Sequence, residues 1–137
     1  MRTVAVLLSL LLSFAAHAAG DADRQAARAT IERQIEAFRK DDSATAYAQA
    51  APQIQGMFGS PETFATMVAR GYVAVIRPRS YSFDTSKDSG EDEIAQGLKL
   101  QDENGIDWVA LYTLQKQSDG AWRITGCQLK KAPGSNA

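Results

Sequence analysis

The chain has 137 residues, of which 45% are hydrophobic and 23% are charged, and its 15 basic and 16 acidic residues give a formal net charge of −1. This balance excludes the strongly basic surface that binds nucleic acid or an anionic membrane. The length predicts one domain, with a core large enough to fold without disulfide bonds.

The N-terminal residues have the pattern of a secretory signal peptide. Arg2 precedes a predominantly apolar run over residues 4–16, and small residues flank a polar one at Ala16, His17 and Ala18. A membrane-spanning helix needs about 20 apolar residues, so this run is too short to be one. The alternative to a cleaved signal peptide is an uncleaved N-terminal anchor. We therefore expect the signal peptide to cover residues 1–18. We then expect the protein to be exported, either to the periplasm or out of the cell, and to keep no membrane anchor after cleavage.

The expected cleavage leaves a single domain over residues 19–131, followed by a short flexible tail over residues 132–137. It also removes His17, the only histidine of the chain. Without an imidazole, the exported protein lacks Ser-His-Asp and Cys-His catalytic groups and the usual zinc sites. The single cysteine, Cys127, cannot form an internal disulfide. We therefore expect no metal and no cofactor.

Three helices are predicted in the first half of the exported chain. Residues 21–40 carry apolar residues at helical spacing, with charged residues opposite. A second helix follows from Ser43, with Asp42 as its N-cap and Pro52 as its terminator. The apolar positions of the first helix are Ile31, Ile35 and Phe38.

The third helix follows a predicted turn over residues 52–59. Ser60 can cap this helix, and Pro61 suits its first position. Gly71 is expected to close it in the left-handed conformation. Its buried stripe consists of Phe64, Met67 and Val68.

The second half predicts an antiparallel meander of four strands. Residues 77–84 alternate polar and aromatic side chains, with Pro78 at a sheet edge. After the acidic loop 88–93, which we interpret as a solvated turn rather than a calcium site, Asn104 and Gly105 predict a tight hairpin. The remaining strands are predicted over residues 94–101, 107–116 and 122–129.

The hairpin turns predict which residues face each other. If Ser118, Asp119 and Gly120 form a three-residue loop, Leu111 lies opposite Cys127, and Leu114 lies opposite Ile124. A two-residue loop would shift this register by one. The Asn-Gly turn similarly predicts Leu98 opposite Leu111 and Leu100 opposite Val109. Cys127 would then be an inert thiol in an aliphatic patch completed by Leu98, Leu100, Val109, Leu111 and Leu129.

The other face of the same strands is also apolar in this register. A sheet that is apolar on both faces leaves neither in water. One face is expected to pack under the helices, and the other to contact a second copy of the chain or a ligand, or to be wrapped by the first helix and tail. This second face carries Trp108, Ala110, Tyr112, Leu114, Trp122 and Ile124.

Several segments resemble a known family. They are AFRKDD at 37–42, P-x-I-x-x-x-F at 52–58, FATMV at 64–68, residues 72–78 and GAWRITGC at 120–127. Together, over about residues 24–131, they resemble an exported bacterial family named domain of unknown function 4864, within the nuclear transport factor two-like superfamily. The resemblance implies an α+β cone, in which N-terminal helices pack on a curved antiparallel sheet. The family has no assigned activity.

The wider superfamily contains ketosteroid isomerase, polyketide cyclases and epoxide hydrolases, so the resemblance implies a pocket at the mouth of the cone that holds acids and tyrosines. Asp41 and Asp42 are the candidate bases, if burial raises the pKa of one of them. In the alternative interpretation, Asp42 is an N-cap and Asp41 is a solvated acid. Tyr47 is either a catalytic phenol or a member of the core.

The candidate ligand-binding residues are tyrosines and arginines. Arg77 and Arg79, with Tyr72 and Tyr81, could hold a carboxylate or phosphate, or they form a charged sheet edge. Tyr112 is a candidate in the pocket or a core residue.

We predict that the protein is a non-enzymatic domain that binds a small ligand or a protein, with a homodimer through the sheet as one arrangement. The alternative is an isomerase- or hydrolase-type enzyme that uses a buried Asp with Tyr or Arg partners.

Overall fold

The computed structural model describes residues 19–134. The predicted signal peptide and residues 135–137 of the predicted tail lie outside the described residues. Within residues 19–134, no helix is long and apolar enough to cross a membrane.

The first half of the described chain forms five helices rather than the three predicted. The long first helix carries acidic residues in its first turn and Arg39 in its last, which matches the helix dipole. Its predicted apolar stripe is confirmed, because Ile31, Ile35 and Phe38 are all buried. The helices are α1 (Asp21–Arg39), α2 (Ser43–Ala48), α3 (Pro52–Phe58), α4 (Pro61–Gly71) and α5 (Val73–Ile76).

Two of the predicted helix caps are confirmed and one is wrong. The Asp42 carboxylate accepts a hydrogen bond from the backbone N–H of Thr45 at 3.1 Å, and the Ser60 hydroxyl accepts one from Thr63 at 3.2 Å. Gly71 is not left-handed: it is the last residue of α4, and Tyr72 follows as the C-cap. The chain turns there directly into α5, so a left-handed residue is not needed.

The predicted turn after Pro52 is a helix, α3. Pro52 occupies its first turn, where the missing N–H costs no helical hydrogen bond. Gly59 ends it in the left-handed conformation, with φ of 75°. The prediction placed a Pro and a Gly around a turn, and the same two residues here start and stop a short helix.

The second half forms a four-stranded antiparallel sheet in the order β1-β2-β3-β4. The first strand is longer than predicted and runs through much of the acidic loop, which leaves Glu91 and Asp92 as the turn. The strands are β1 (Ser80–Gly90), β2 (Glu93–Gln101), β3 (Asp107–Lys116) and β4 (Trp122–Lys131).

The predicted register between β2 and β3 is wrong by one residue. Leu98 pairs with Ala110, and Leu100 pairs with Trp108. The connecting loop has three residues, since the Asp102 N–H donates to Ile106 O at 2.9 Å. Asp102 closes this loop from its side chain as well, because its Oδ1 accepts from the N–H groups of Asn104 and Ile106, each at 2.9 Å. A loop of three residues rather than two shifts every pair that follows.

The register between β3 and β4 begins as predicted and then changes. Leu114 pairs with Ile124, but an extra residue, Thr125, forms a bulge in β4. Beyond the bulge, Cys127 faces Tyr112 instead of Leu111. The bulge follows the point where β4 is tied to the segment between α2 and α3: Ile124 N–H donates to Gln49 O at 2.9 Å, and Ala51 N–H donates to Ile124 O at 2.8 Å.

These two shifts bring most apolar residues of the sheet to one face, which packs against the helices. The prediction of two apolar faces is therefore wrong, and so is the patch around Cys127, because Val109 and Leu111 lie on the outer face. Leu111 is 42% exposed there. The core that joins sheet to helices includes Ile31, Ile35, Phe38, Phe64, Val68, Ile94, Leu98, Leu100, Tyr112, Leu114, Trp122 and Ile124.

Polar contacts fix α1 on this face. The Thr30 hydroxyl donates to Trp122 O at 2.9 Å, and Arg28 Nε donates to the fully buried Gln96 Oε1 at 3.2 Å. With α1 held across the sheet, the shorter helices α2 to α5 cover the part of the same face near the β4 bulge, and a cavity remains beneath them.

Candidate functional site

An apolar cavity of about 230 Å³ lies between the short helices and the helix-facing side of β3 and β4. Helix α3 forms one wall, α4 a second, and the sheet forms the floor. The lining residues are Gln34, Ala50, Ile54, Met57, Phe58, Phe64, Met67, Val68, Tyr72, Val75, Tyr112, Ile124, Gly126 and Cys127.

The most unusual group in the lining is the hydroxyl of Tyr112. This residue is 1% exposed, and its hydroxyl is buried without a hydrogen-bond partner among the described residues. Burial raises its pKa well above the ordinary value for tyrosine, with a further contribution from Cys127. An unpaired buried hydroxyl is costly, and the great majority of buried polar groups find a partner.

Cys127 lies across the strand pair from Tyr112. Burial raises the pKa of its thiol to about 12, and the neighbouring Tyr112 hydroxyl lowers it only in part. The thiol is near enough to the hydroxyl for their interaction to shift both pKa values, but sulfur is a weak acceptor and the hydroxyl has no oxygen or nitrogen partner among the described residues. Both groups are therefore protonated and neutral at physiological pH. The prediction of an inert thiol agrees with this pKa, although its neighbours differ from those predicted.

The bulge in β4 is what brings these two residues together. Without the extra residue Thr125, Cys127 would face Leu111. The bulge also places Gly126 in the lining, opposite Thr113, where an added Cβ would approach Thr113 Oγ1 to 3.0 Å.

Helix α3 is the least embedded wall. None of its residues is buried, and Met57 at the rim is 73% exposed. It is held by Gln55, whose Nε2 donates to Tyr47 O at 3.1 Å and to Ala50 O at 3.0 Å. The Tyr47 hydroxyl donates back to the backbone oxygen of Gln55. The predicted catalytic phenol thus anchors a wall of the cavity instead of lining it.

Tyr72 and Gln34 also bring polar groups to the lining, and Gln34 brings an amide. Its Nε2 donates to Ala46 O at 3.1 Å, which leaves the amide oxygen as the group available to a ligand. The lining contains no carboxylate, amine or guanidinium. Within residues 19–134, no group of His, Cys, Asp or Glu could hold a metal ion.

The two candidate bases lie outside this cavity. Asp41 has a left-handed backbone, with φ of 55°, and its 81% exposed side chain forms an ion pair with Arg77 at 2.6 Å. Asp42 is exposed, and hydrogen bonds from the Thr45 side chain and backbone lower its pKa. The enzyme hypothesis needed a buried carboxyl, and both residues are exposed.

The predicted ligand-binding residues are dispersed. Tyr72 and Tyr112 line the cavity. Arg79 donates to Glu103 O at 2.8 Å, beside the β2–β3 loop. Tyr81 lies under α1, with the Arg39 guanidinium 5.4 Å from its ring. Burial and the negative charges on α1 raise the pKa of Tyr81. The structure does not bring the two arginines and two tyrosines together as one anion site.

Several lining residues escaped the sequence analysis. Ile54, Met57 and Phe58 recur at i, i+3 and i+4, which is a helical signal in the segment interpreted as a turn. Gln34 gave no comparable signal, since a single polar residue on the apolar side of a helix has many explanations.

Comparison with known proteins identifies the family and the fold. The family model described as "Domain of unknown function (DUF4864)" matches residues 20–137. Among curated proteins, none matches this chain.

Three solved structures resemble this one. An NTF2-like protein of unknown function from Shewanella baltica OS155 has a TM-score of 0.58 at 14% identity, and the match covers 86% of this chain and 100% of that one. A ketosteroid isomerase-like protein from Erwinia carotovora atroseptica SCRI1043 has a TM-score of 0.57 at 14% identity, with coverage of 83% and 100%. The protein Aln2 from a Streptomyces species has a TM-score of 0.54 at 15% identity, with coverage of 84% and 94%. At these identities the likeness establishes the NTF2-like α+β fold alone, as the resemblance implied.

Proposed function

Because the chain belongs to the family described as "Domain of unknown function (DUF4864)", which names no activity, we propose from the site itself that it is an exported protein that binds a small, largely apolar molecule in the cavity beneath α3 and α4. The observation that carries this proposal is the unpaired Tyr112 hydroxyl in the floor. A tyrosine that served only to fill the core would gain stability by losing that oxygen.

The size and walls of the cavity support the same proposal. A cavity of about 150 Å³ lined by aliphatic and aromatic residues can hold a benzene molecule. This one, at about 230 Å³, is larger, and apolar side chains dominate its lining. Such walls provide affinity by removing apolar surface from water, and a few polar groups provide orientation.

Catalysis has weaker support. The isomerase-type alternative required Asp41 or Asp42 as a base in the pocket, and both lie on the surface. A homodimer through the sheet is a separate proposal about assembly, since the ligand cavity is on the helix-facing side.

A cavity-filling variant tests the proposal. Small aromatic and aliphatic compounds are titrated into the ¹⁵N-labelled protein, and amide shifts near Gly126 and Cys127 report binding. Ile54→Trp places a large ring in the cavity from α3 and should abolish these shifts. Val73→Trp makes a matched change at a side chain that is 56% exposed and outside the lining, and should leave them intact. Absence of binding to the unaltered protein, or unchanged binding to Ile54→Trp, would contradict the proposal.

Export is tested separately. N-terminal sequencing of the protein recovered from the periplasm or the medium should show that it begins at Ala19. Recovery of the intact N-terminus from the cytoplasm would refute export without affecting the cavity.

A further inference from the structure

We infer that the molecule bound in this cavity is electrically neutral and carries a carbonyl or hydroxyl oxygen that accepts a hydrogen bond from the Tyr112 hydroxyl. This inference rests on the proposed function and specifies the chemistry of its ligand. Three properties of the cavity lead to it: the absence of charge in its lining, the unpaired donor in its floor, and its volume.

The lining selects against charged ligands. Its residues provide no carboxylate, amine or guanidinium to pair with an ion. Among the ionisable groups of the lining, Tyr112 and Cys127 are both protonated at physiological pH because burial raises their pKa values. An ionised ligand would therefore lose its hydration without gaining a counter-charge, which costs much more than burying a neutral polar group.

The unpaired group selects for an acceptor. A phenolic hydroxyl donates one hydrogen, and among residues 19–134 this one finds no strong acceptor, only the weakly accepting Cys127 thiol beside it. A ligand oxygen that reaches it would form a hydrogen bond that the protein alone does not make. The oxygen of Gln34, which also lines the cavity, can accept a hydrogen bond from a ligand hydroxyl, so ketones, aldehydes and alcohols all fit the polar groups present.

The volume selects for small molecules. A cavity of about 230 Å³ exceeds the roughly 150 Å³ that holds benzene. A ring with a short substituent, or a short branched chain, is of the appropriate size.

Three compounds of nearly equal shape separate these properties. Acetophenone is neutral and carries a carbonyl oxygen. Cumene replaces the carbonyl oxygen with a methyl group. Benzoate keeps the carbonyl oxygen and replaces the methyl group with a charged oxygen. All three have the same number of non-hydrogen atoms, so differences in affinity report hydrogen bonding and charge rather than size. Each is titrated into the labelled protein at neutral pH, and into the Tyr112→Phe variant, which keeps the ring and removes only the donor.

We expect acetophenone to bind about three- to tenfold more tightly than cumene, the factor that one net hydrogen bond provides. In Tyr112→Phe this advantage should be lost and cumene should bind the more tightly, because the acetophenone carbonyl is then buried without a donor. Benzoate should bind at least about tenfold more weakly than acetophenone, because its charge is buried unpaired.

The outcomes distinguish the inference from the proposal beneath it. If cumene binds the unaltered protein as tightly as acetophenone, or if benzoate does, the cavity binds apolar molecules but the inference about ligand chemistry is wrong. If acetophenone keeps its advantage in Tyr112→Phe, the donor is another group and the inference is also wrong. If none of the three shifts the amides of the cavity, the proposed function fails and the inference fails with it.

Discussion

Removing the hydroxyl of Tyr112 should stabilise the ligand-free protein. A buried polar group without a partner costs about 1–3 kcal/mol, and Tyr112→Phe removes that cost while it keeps the ring in the core. The lower half of this range applies, since the Cys127 thiol beside the hydroxyl offsets part of the penalty and the lost oxygen leaves a small gap. We therefore expect a gain of about 1 kcal/mol. In a domain of this size, that corresponds to a rise of about 4 °C in Tm.

Tyr47→Phe is the matched control. The Tyr47 hydroxyl has a partner, because it donates to the backbone oxygen of Gln55. The same chemical change should here cost about 0.5–1.5 kcal/mol, the net value of a hydrogen bond. Urea unfolding of both variants and the unaltered protein measures the two effects, with equal m-values as evidence that the unfolding transition is the same. If Tyr112→Phe destabilises the protein as much as Tyr47→Phe does, the Tyr112 hydroxyl has a partner and the reasoning on the cavity is refuted.

Three further predictions test the fold and the site. Asp102→Ala should cost about 2–3 kcal/mol in urea unfolding, because its carboxylate accepts from two backbone N–H groups and from Trp108 Nε1 at 2.8 Å. Burial acts to raise the pKa of Asp102, but these hydrogen bonds outweigh burial and lower the pKa. The carboxylate therefore stabilises the folded protein at pH values above its unfolded-state pKa, and this stabilisation is lost as the pH falls through the lower folded-state pKa. An unchanged acid slope in the variant would argue against this. The Cys127 thiol is half-buried and has a pKa of about 12, so it should react with maleimide more slowly in the native protein than in urea. Equal rates would show that the fold does not protect it. Gly59→Ala should lower the stability by about 1 kcal/mol, because alanine is strained at the left-handed φ of 75°. Gly56→Ala, inside α3 with open space around it, should raise the stability slightly. Equal effects of the two changes would contradict a left-handed residue at the end of α3.

Local signals predicted the parts of the fold that depend on neighbouring residues. The caps at Asp42 and Ser60 and the stripe of α1 follow from side chains within one or two turns of each other, so they could be predicted from the sequence. The family resemblance added the α+β class and the order of helices and strands. The same local signals were ambiguous between Pro52 and Gly59, since these residues can bound either a turn or a short helix.

The register of the sheet was harder to predict, for a definite reason. Asn104 and Gly105 indicate a hairpin, but they do not distinguish a two-residue loop from a three-residue loop in which Gly105 alone is left-handed, with φ of 79°. Asp102 decides the matter, because its carboxylate closes the longer loop by accepting from the backbone N–H groups of Asn104 and Ile106. One residue of shift moves the side chains of a strand to the other face relative to its neighbour, which is why Leu98 and Leu100 lie beside Ala110 and Trp108 rather than beside Leu111 and Val109.

The cavity depends on a contact that the sequence does not encode locally. Ile124 forms hydrogen bonds with Gln49 and Ala51, from the segment between α2 and α3, at the edge of β4. The bulge that follows at Thr125 turns Cys127 towards Tyr112. The tyrosine hydroxyl therefore lies next to a thiol, a weak hydrogen-bonding group, instead of a backbone oxygen or an amide that would satisfy it. Ala51, which donates to Ile124 O, is also the N-cap residue of α3, so the backbone contacts that precede the bulge also join this wall of the cavity to the sheet.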